Sequence, residues 1–266
     1  MIVHLLGVFS LFGGTTPLAE QFKQTGYVEI CEETQGRAAF DALYTHFDEF
    51  LALLHTNPSW AQKIQMAKER FIRSKERDLY STDFFGLHNT ASQIAFYYSS
   101  HFHAFIGSRY PELHQIPEIA RFFDACFEIQ KPCTDLFEQC AGQLEVEIGH
   151  TPVLLKVVKY FPSYIAAKPH YDGTAFSLFL DSTNNQSLFL SPYKSSFTIE
   201  DFSSPAREQD SMLLIPGVLL REFSIDPTPH IVRSTGHLRY ATIAFAMRSH
   251  YVPPKTKFSS LPSFTN

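Results

Sequence analysis

The stretch KPHYDG, residues 168–173, places a histidine and an aspartate one residue apart, directly before a glycine. In an extended chain the side chains at positions i and i+2 project from the same face, so the imidazole of His170 and the carboxylate of Asp172 can converge on one metal ion. Two histidines and one carboxylate on one face of an octahedron leave three coordination positions open. The stretch therefore predicts an open metal site, which requires a second histidine from elsewhere in the chain.

The same spacing occurs at His46 and Asp48, but in a different local pattern. These two residues lie within an amphipathic helical segment, in which they are about 200° apart around the helix axis. They cannot bind one metal ion, because they flank the buried Phe47 on opposite sides. His101 and His103 form a similarly short match, which ordinary surface or core histidines explain.

The second histidine is predicted from PHIVRSTGHLR, residues 229–239, which has the pattern of two strands joined by a tight turn. If residues 234–235 form a two-residue loop, His230 lies opposite Arg239 and both side chains project from one face. His230 is expected to be the ligand rather than His237, which falls in or beside the turn. A buried Arg239 needs an anion such as a carboxylate, whereas an arginine at a strand start can equally reach solvent or a local acid.

From Leu154 onward, short apolar runs rich in Val, Ile, Phe and Leu alternate with turn clusters such as residues 182–185. About seven strands are expected, sufficient for a small barrel or jelly roll. They cover residues 154–160, 176–180, 187–190, 212–215, 219–223, 230–233 and 239–247.

The first 150 residues have mainly helical patterns. Apolar residues recur with helical spacing over residues 40–54, and the pair Asn57-Pro58 marks the start of a second helix that packs against the first. A loop is expected over residues 81–89. A long helix is expected over residues 117–143, with a kink or break at Pro132.

Nothing in the composition marks a domain boundary near residue 150. We therefore expect residues 1–266 to form a single domain of the α+β class. Residues 1–150 are the mainly helical support region, and residues 151–250 are the β-barrel core that carries the metal site.

The composition also limits the partners. A formal net charge of -5 without a block rich in lysine or arginine argues against a nucleic-acid partner. No apolar run approaches the ~20 residues of a membrane span, and the apolar residues 1–12 predict a buried strand rather than a signal sequence, so a soluble protein with no membrane partner is expected. The 26 Phe and 12 Tyr suit either a tightly packed aromatic core or a wide cavity lined by rings.

Three of the four cysteines, Cys126, Cys133 and Cys140, recur every seven residues within the long helical segment. Seven residues are two helical turns, so neighbouring sulfur atoms lie roughly 10 Å apart, too far to share a metal ion or to form a disulfide. A row of buried free thiols on one helix face is predicted. Free thiols, with Cys31 as the fourth cysteine, indicate a reducing cytoplasm.

The second half of the chain resembles the 2-oxoglutarate and iron(II)-dependent dioxygenase superfamily, particularly its isopenicillin N synthase-like branch. The signature that carries the resemblance is His170-x-Asp172, then His230, then Arg239 at the start of the final strand. Further similar segments are residues 210–217 before the distal histidine, residues 158–162 with their tyrosine and proline, residues 22–30, and the helix from Pro117. The resemblance thus covers nearly the whole chain.

The resemblance implies a double-stranded β-helix, a jelly-roll-like barrel, with the helical region as its buttress. It implies that His170, Asp172 and His230 bind Fe(II). It also implies that 2-oxoglutarate chelates the iron while Arg239 pairs with the far carboxylate, helped by Tyr160, and that O2 is the second co-substrate. The reaction would couple decarboxylation of 2-oxoglutarate to oxidation, by default hydroxylation, of a small-molecule substrate.

Two other functions stay open. Ala241 stands where relatives that bind 2-oxoglutarate usually have a hydroxyl residue, so one alternative is an Fe(II) oxidase with the same triad that does not use 2-oxoglutarate. The other is a non-catalytic barrel that binds a small ligand, because a fold alone does not establish turnover. Oxygen uptake by the iron-loaded protein separates the enzymes from the binder, and its dependence on 2-oxoglutarate separates the two enzymes.

Overall fold

Two antiparallel sheets lie face to face in a computed structural model that describes residues 17–30, 37–74, 76, 85–146, 153–162, 165–183, 187–194, 197–205, 211–233 and 236–247. The strands are β1 (Val28–Ile30), β2 (Gly86–Asn89), β3 (Gln93–Tyr98), β4 (Val153–Tyr160), β5 (Ile165–His170), β6 (Phe176–Ser182), β7 (Leu188–Leu190), β8 (Met212–Pro216), β9 (His230–Arg233) and β10 (Arg239–Ala246). The large sheet has the order β1-β8-β6-β10-β4-β3-β2, and the small sheet has the order β5-β9-β7.

The helices are α1 (Leu18–Thr25), α2 (Arg37–Thr56), α3 (Pro58–Arg73), α4 (Ser100–Arg109), α5 (Pro111–His114) and α6 (Pro117–Gln143). The starts predicted at Pro58 and Pro117 are confirmed, with proline in the first turn in both cases. Of the kink or break predicted at Pro132, the break does not occur, because α6 continues through this residue. Ile129, Cys133 and Leu136 are buried on both sides of the proline, so packing holds the helix together despite the lost hydrogen bond.

Two short segments differ from the sequence prediction. Residues 219–223 were expected to form a strand, but Val218–Phe223 is a 3-10 helix whose first three residues are buried. A short apolar run can be buried either as a strand or as a helical turn, so the spacing of its apolar residues does not distinguish the two conformations. The loop predicted over residues 81–89 is wrong at its end, where Gly86–Asn89 forms the edge strand β2.

The hairpin predicted between His230 and Arg239 is also wrong. β9 pairs with β5 and β7 in the small sheet, whereas β10 pairs with β4 and β6 in the large sheet. His230 therefore lies opposite His170, and Arg239 lies opposite Tyr160. Residues 234–235, the expected loop, lie outside the described residues. β9 and β10 thus belong to different sheets, although the sequence between them has the pattern of a turn.

The main apolar core lies between the helices and one face of the large sheet. Phe50 of α2 packs against Phe96 of β3 with ring centroids 5.4 Å apart and against Phe122 of α6 at 4.8 Å. Many of the aromatic residues thus form a tightly packed core, which is one of the two explanations given for their number. The other face of the large sheet packs against the small sheet through a second cluster. The two halves of the chain share the main core, since β1, β2 and β3 from the support region join the large sheet.

The row of buried thiols is confirmed, because Cys126, Cys133 and Cys140 are free and buried on α6. Cys31 and the apolar residues 1–12 lie outside the described residues. Within the described ranges there is no helix both long and apolar enough to span a membrane.

Candidate metal centre and adjoining pocket

The three residues predicted to bind a metal converge at the end of the small sheet where β5 ends and β9 begins. His170 is the last residue of β5 and His230 the first of β9, and the pairing of these strands brings their ring centroids to 4.2 Å. Asp172 Oδ1 lies 3.6 Å from His170 Nε2, and Asp172 Oδ2 lies 3.5 Å from His230 Nε2. One candidate ligand atom from each residue lies within 4.8 Å of the other two, so a single ion can reach all three.

Backbone carbonyls orient both imidazoles. His170 Nδ1 donates to the Lys168 carbonyl at 2.6 Å, and His230 Nδ1 donates to the Thr228 carbonyl at 3.3 Å. A carbonyl only accepts hydrogen bonds, so the proton of a neutral ring sits on Nδ1 and leaves the lone pair of Nε2 available. Both Nε2 atoms therefore face Asp172 in the form that binds a metal ion.

Asp172 is held by its own hydrogen bonds. Ser177 Oγ lies 2.7 Å from Oδ2 and donates to it, and Thr174 Oγ1 lies 3.0 Å from Ser177 Oγ. The backbone N–H of Val218 donates to the Asp172 carbonyl at 2.9 Å. A Cβ on Gly217 would come within 3.0 Å of the Thr174 backbone, so only glycine permits this close approach. The loop that carries the carboxylate is thus anchored to β6 and to the end of β8.

The electrostatics favour the metal-binding protonation states at neutral pH. Burial lowers the pKa of His230 to about 4, so this imidazole is neutral. Burial by itself raises the pKa of Asp172, but His230, His170 and the Ser177 hydrogen bond lower it, and the net pKa lies below its ordinary value. The site thus presents a neutral imidazole beside an ionised carboxylate, as metal coordination requires.

A buried guanidinium lies in the pocket beside this centre. Arg239 is 4% exposed, and its Cζ lies 4.0 Å from the centroid of the Tyr160 ring. Its Nη1 donates to Ser182 Oγ at 3.1 Å, whereas Nε and Nη2 have no hydrogen-bond partner within the described part of the chain. Burial lowers the pKa of Arg239, yet a guanidinium stays protonated in proteins. The two predicted co-substrate residues, Arg239 and Tyr160, are therefore together, and the guanidinium has donors left for an anion.

Ser182 was missed by the sequence analysis. It lies opposite Ala241 across the pairing of β6 and β10, so its hydroxyl reaches Arg239 from the neighbouring strand. A hydroxyl thus lies beside Arg239 although Ala241 supplies none. In the sequence Ser182 opens a predicted turn cluster, a signal that gave no reason to place it in the pocket.

Phe179 and Val232 connect the pocket to the metal centre. Both line the pocket, and the Phe179 ring packs edge-on against His230 with centroids 5.6 Å apart. The other lining residues are Tyr160, Asp181, Ser182, Ser187, Leu188, Arg239, Ala241 and Ile243. The pocket therefore lies one side chain, Phe179, away from His230.

No local sequence pattern singles out Lys156, which projects from β4 toward the same interior. Its Nζ lies 5.6 Å from the Tyr97 ring centroid and 6.0 Å from that of Tyr160. Burial lowers the pKa of Lys156, but Tyr160, Tyr97 and Asp172 raise it, and the net pKa lies above its ordinary value. The interior thus holds two cationic side chains, Lys156 and Arg239.

The histidines set aside in the sequence analysis have other partners. His46 Nδ1 lies 3.1 Å from Glu49, while Asp48 pairs with Lys159 at 2.7 Å, so the two side chains diverge as predicted. His103 stacks on His114 with ring centroids 4.7 Å apart. The only cluster of metal-ligating residues found among the described residues is the predicted triad.

No protein-family model and no curated protein matches this sequence. Solved structures share the fold. The dioxygenase for auxin oxidation 1 from Arabidopsis thaliana, in a binary complex with 2-oxoglutarate, matches over 90% of this chain and 88% of its own, with a TM-score of 0.58 and 13% identity. The dioxygenase for auxin oxidation in rice matches over 90% and 77%, with a TM-score of 0.57 and 12% identity. JOX2, in complex with 2OG, Fe and JA, matches over 91% and 73%, with a TM-score of 0.59 and 13% identity.

These similarities extend over most of this chain at low identity, so they concern the fold. The fold predicted from the sequence is confirmed, with the helices packed on the large sheet as the expected buttress. The chain has the double-stranded β-helix fold of the 2-oxoglutarate and Fe(II)-dependent dioxygenases.

Proposed function

We propose that this protein is a non-haem Fe(II) oxygenase that couples decarboxylation of 2-oxoglutarate to the oxidation of a small molecule. The observation that carries this proposal is the position of the triad His170, Asp172 and His230 beside the buried Arg239. The triad offers two imidazole nitrogens and one carboxylate oxygen, a donor set that suits Fe(II) and leaves coordination positions open. Arg239 offers unsatisfied donors for a carboxylate.

Fe(II) and 2-oxoglutarate, when bound, would supply the oxidising chemistry, and the protein would supply position and a dry cavity. The carbonyls of Lys168 and Thr228 fix the rings of the two histidine ligands. Arg239 binds the far carboxylate of 2-oxoglutarate, and the Tyr160 ring covers one face of the guanidinium. O2 is the second co-substrate.

The substrate is proposed to be a small molecule and its oxidation a hydroxylation. Two structural neighbours are described as dioxygenases for auxin oxidation, and the third is bound to 2OG, Fe and JA, which supports a small molecule here. We further propose a cytoplasmic location, which the free thiols of α6 support. We also propose that residues 1–266 form a single domain and that the protein belongs to the isopenicillin N synthase-like branch.

A second candidate is an Fe(II) oxidase with the same triad that does not use 2-oxoglutarate. Ala241 favours it, because this residue offers no hydroxyl to the co-substrate. The hydroxyl of Ser182, hydrogen-bonded to Arg239, weakens that objection to 2-oxoglutarate. The third candidate is a barrel that binds a ligand without catalysing a reaction, and such a protein could have the same fold as the enzymes.

The test is anaerobic titration of the Fe(II)-loaded protein with 2-oxoglutarate. A weak visible charge-transfer band of the chelated keto acid is expected, followed by succinate formation when oxygen is admitted. Arg239→Met should raise the dissociation constant of 2-oxoglutarate by about tenfold, equivalent to ~1.4 kcal/mol, because the far carboxylate loses its cation. Oxygen uptake without a band or succinate would support the oxidase, and the absence of the band, of succinate and of iron-dependent oxygen uptake would contradict the proposed function.

A further inference from the structure

Lys156 projects into the same interior as Arg239, from the neighbouring strand. The pairing of β4 with β10 places Tyr160 opposite Arg239 and Lys156 opposite Ile243. Alternate residues of a strand share a face, so Lys156 lies on the face of β4 that carries the pocket residue Tyr160. Lys156 therefore projects from the same face of β4 as the pocket residue Tyr160, toward the interior between the two sheets.

The immediate surroundings of the Lys156 ammonium are aromatic. Its Nζ lies over the rings of Tyr97 and Tyr160. Among the described residues, several lysine and arginine side chains form ion pairs with carboxylates, but Lys156 is in none of these pairs. Lys159, on the opposite face of the same strand, does form such a pair, with Asp48 at 2.7 Å. An ammonium on a largely enclosed wall is stabilised when an anion reaches it.

The backbones of Lys156 and Arg239 lie at different levels of the large sheet. Lys156 is four residues before Tyr160, which lies opposite Arg239, so the two backbone positions are separated by about 13 Å along the strand. At the level of Lys156, the neighbours across the sheet are Ile243 and then Phe179, whose ring packs against His230. The two charged groups nevertheless share one aromatic neighbour, because Lys156 Nζ lies 6.0 Å and Arg239 Cζ lies 4.0 Å from the centroid of the Tyr160 ring.

We propose that Lys156 binds a carboxylate of the substrate, and that the substrate class of this site is a small monoanionic organic acid with an apolar body. The inference rests on the proposed function, in which Arg239 is occupied by 2-oxoglutarate. The charges of Fe(II), Asp172, 2-oxoglutarate and Arg239 then cancel, which leaves the charge of Lys156 for the substrate. Around it, Tyr97, Phe179, Leu213 and Ile243 provide the apolar wall for the rest of the molecule.

The experiment uses matched pairs of an acid and its primary amide, from phenylacetate and phenylacetamide to longer aryl and alkyl members. Binding to the Ni(II)-loaded protein is measured by calorimetry, with and without 2-oxoglutarate. At least one acid should bind the wild-type protein at least tenfold more tightly than its amide. Lys156→Met should remove that preference while the affinity for 2-oxoglutarate stays within twofold, and Lys156→Arg, which keeps the charge, should retain it.

Lys159→Met is the matched control, since Lys159 faces the other side of β4 and should not affect the preference. Thermal unfolding of each variant checks folding, and Lys156→Gln serves as a second neutral variant. Equal binding of every acid and its amide by the wild-type protein would overturn the proposal. If Lys156→Met lost as much 2-oxoglutarate affinity as Arg239→Met, the proposal would also fail, because Lys156 would then serve the co-substrate. It would fail as well if Lys156→Met lost only Ni(II) affinity, because Lys156 would then act on Asp172. If wild-type protein fails to bind 2-oxoglutarate yet prefers an acid through Lys156, the proposed function fails and this inference stands.

Discussion

At the scale of single residues, His230 and His237 test the assignment of the metal ligands. His230 is 2% exposed and faces Asp172, whereas His237 is exposed in the segment between the two sheets. His230→Ala, like His170→Ala and Asp172→Ala, should abolish tight binding of one equivalent of Fe(II), Mn(II) or Ni(II). His237→Ala should leave it unchanged, as measured by equilibrium metal titration with circular dichroism as the check on folding. The reverse pattern would show that the ligands are wrongly assigned.

Ser182 and Ala241 give a paired test of how the pocket holds 2-oxoglutarate. Ser182→Ala removes the hydroxyl that accepts from Arg239 Nη1, which should cost about 1 kcal/mol and raise the dissociation constant roughly fivefold. Ala241→Ser places a hydroxyl opposite Ser182 and should tighten binding by a few-fold. Both values are measured by the anaerobic charge-transfer titration. No change in either variant would mean that the co-substrate does not lie against this pair of strands.

His103 should contribute to acid destabilisation of the fold. Burial and the neighbouring His114 lower its pKa to about 4, whereas an unfolded histidine titrates near 6.5. Between these pH values the unfolded chain therefore binds more protons than the folded chain. The free energy of unfolding should fall as the pH decreases from about 6.5 to about 4. The slope should be less than ~1.4 kcal/mol per pH unit, because the His103 ring is partly exposed.

His103→Gln should flatten this part of the stability curve, measured by denaturant unfolding of the metal-free protein at a series of pH values. His101→Gln, at an exposed position of the same helix α4, is the control and should leave the slope unchanged. An equal slope in wild type and His103→Gln would show that other groups dominate this part of the curve.

At the scale of elements, the end of β8 depends on the missing side chain of Gly217. A Cβ there would clash with the backbone of Thr174, in the loop that carries Asp172, so Gly217→Ala should destabilise the protein by about 1–3 kcal/mol and weaken metal binding. Gly142→Ala is the matched control: nothing lies within 4 Å of its Cβ position on α6, and it should be neutral or stabilising by up to about 1 kcal/mol. Chemical denaturation and metal titration of both variants check this. Equal effects in both would exclude the close approach as the cause.

The arrangement of β9 and β10 shows how separate elements build one pocket. β9 carries His230 and Val232 in the small sheet, and β10 carries Arg239 and Ala241 in the large sheet. Because the sheets pack face to face, Val232 of β9 lines the same pocket as Arg239 and Ala241 of β10, although the two strands do not pair. The predicted hairpin is wrong, but both arrangements direct the side chains of His230 and Arg239 inward.

At the scale of the whole molecule, the helices and the barrel share one core, so they should unfold together. Excess Ni(II) at 100 times its dissociation constant should stabilise the wild-type protein by about 2.7 kcal/mol and should not stabilise His230→Ala. Phe96→Ala, on the helical side of the large sheet, should destabilise the protein by about 3–5 kcal/mol.

Both effects should appear as shifts of the same transition in calorimetry, although neither Phe96 nor its ring partners touch the metal centre. Two separate transitions, of which only one responds to Ni(II), would contradict the single domain proposed for residues 1–266.

Two of the three candidate metal ligands and the main helices could be predicted from local patterns. Residues i and i+2 of an extended segment share a face whatever that segment pairs with, so His170 and Asp172 converge in any strand. Apolar spacing over residues 40–54 and a proline at the start of α3 and α6 likewise depend only on neighbouring residues. The seven-residue spacing of the cysteines marked the buried face of α6 for the same reason.

Only the tertiary structure decided which strands pair and therefore which other side chains reach the site. His230 lies opposite His170 rather than Arg239, Ser182 supplies the hydroxyl that Ala241 lacks, and Lys156 projects beside the metal centre. Each of these relations joins segments far apart in sequence, and local periodicity specifies the face of a strand but not its partner. The pairing is set by how the two sheets bury their apolar faces together, which depends on the whole chain.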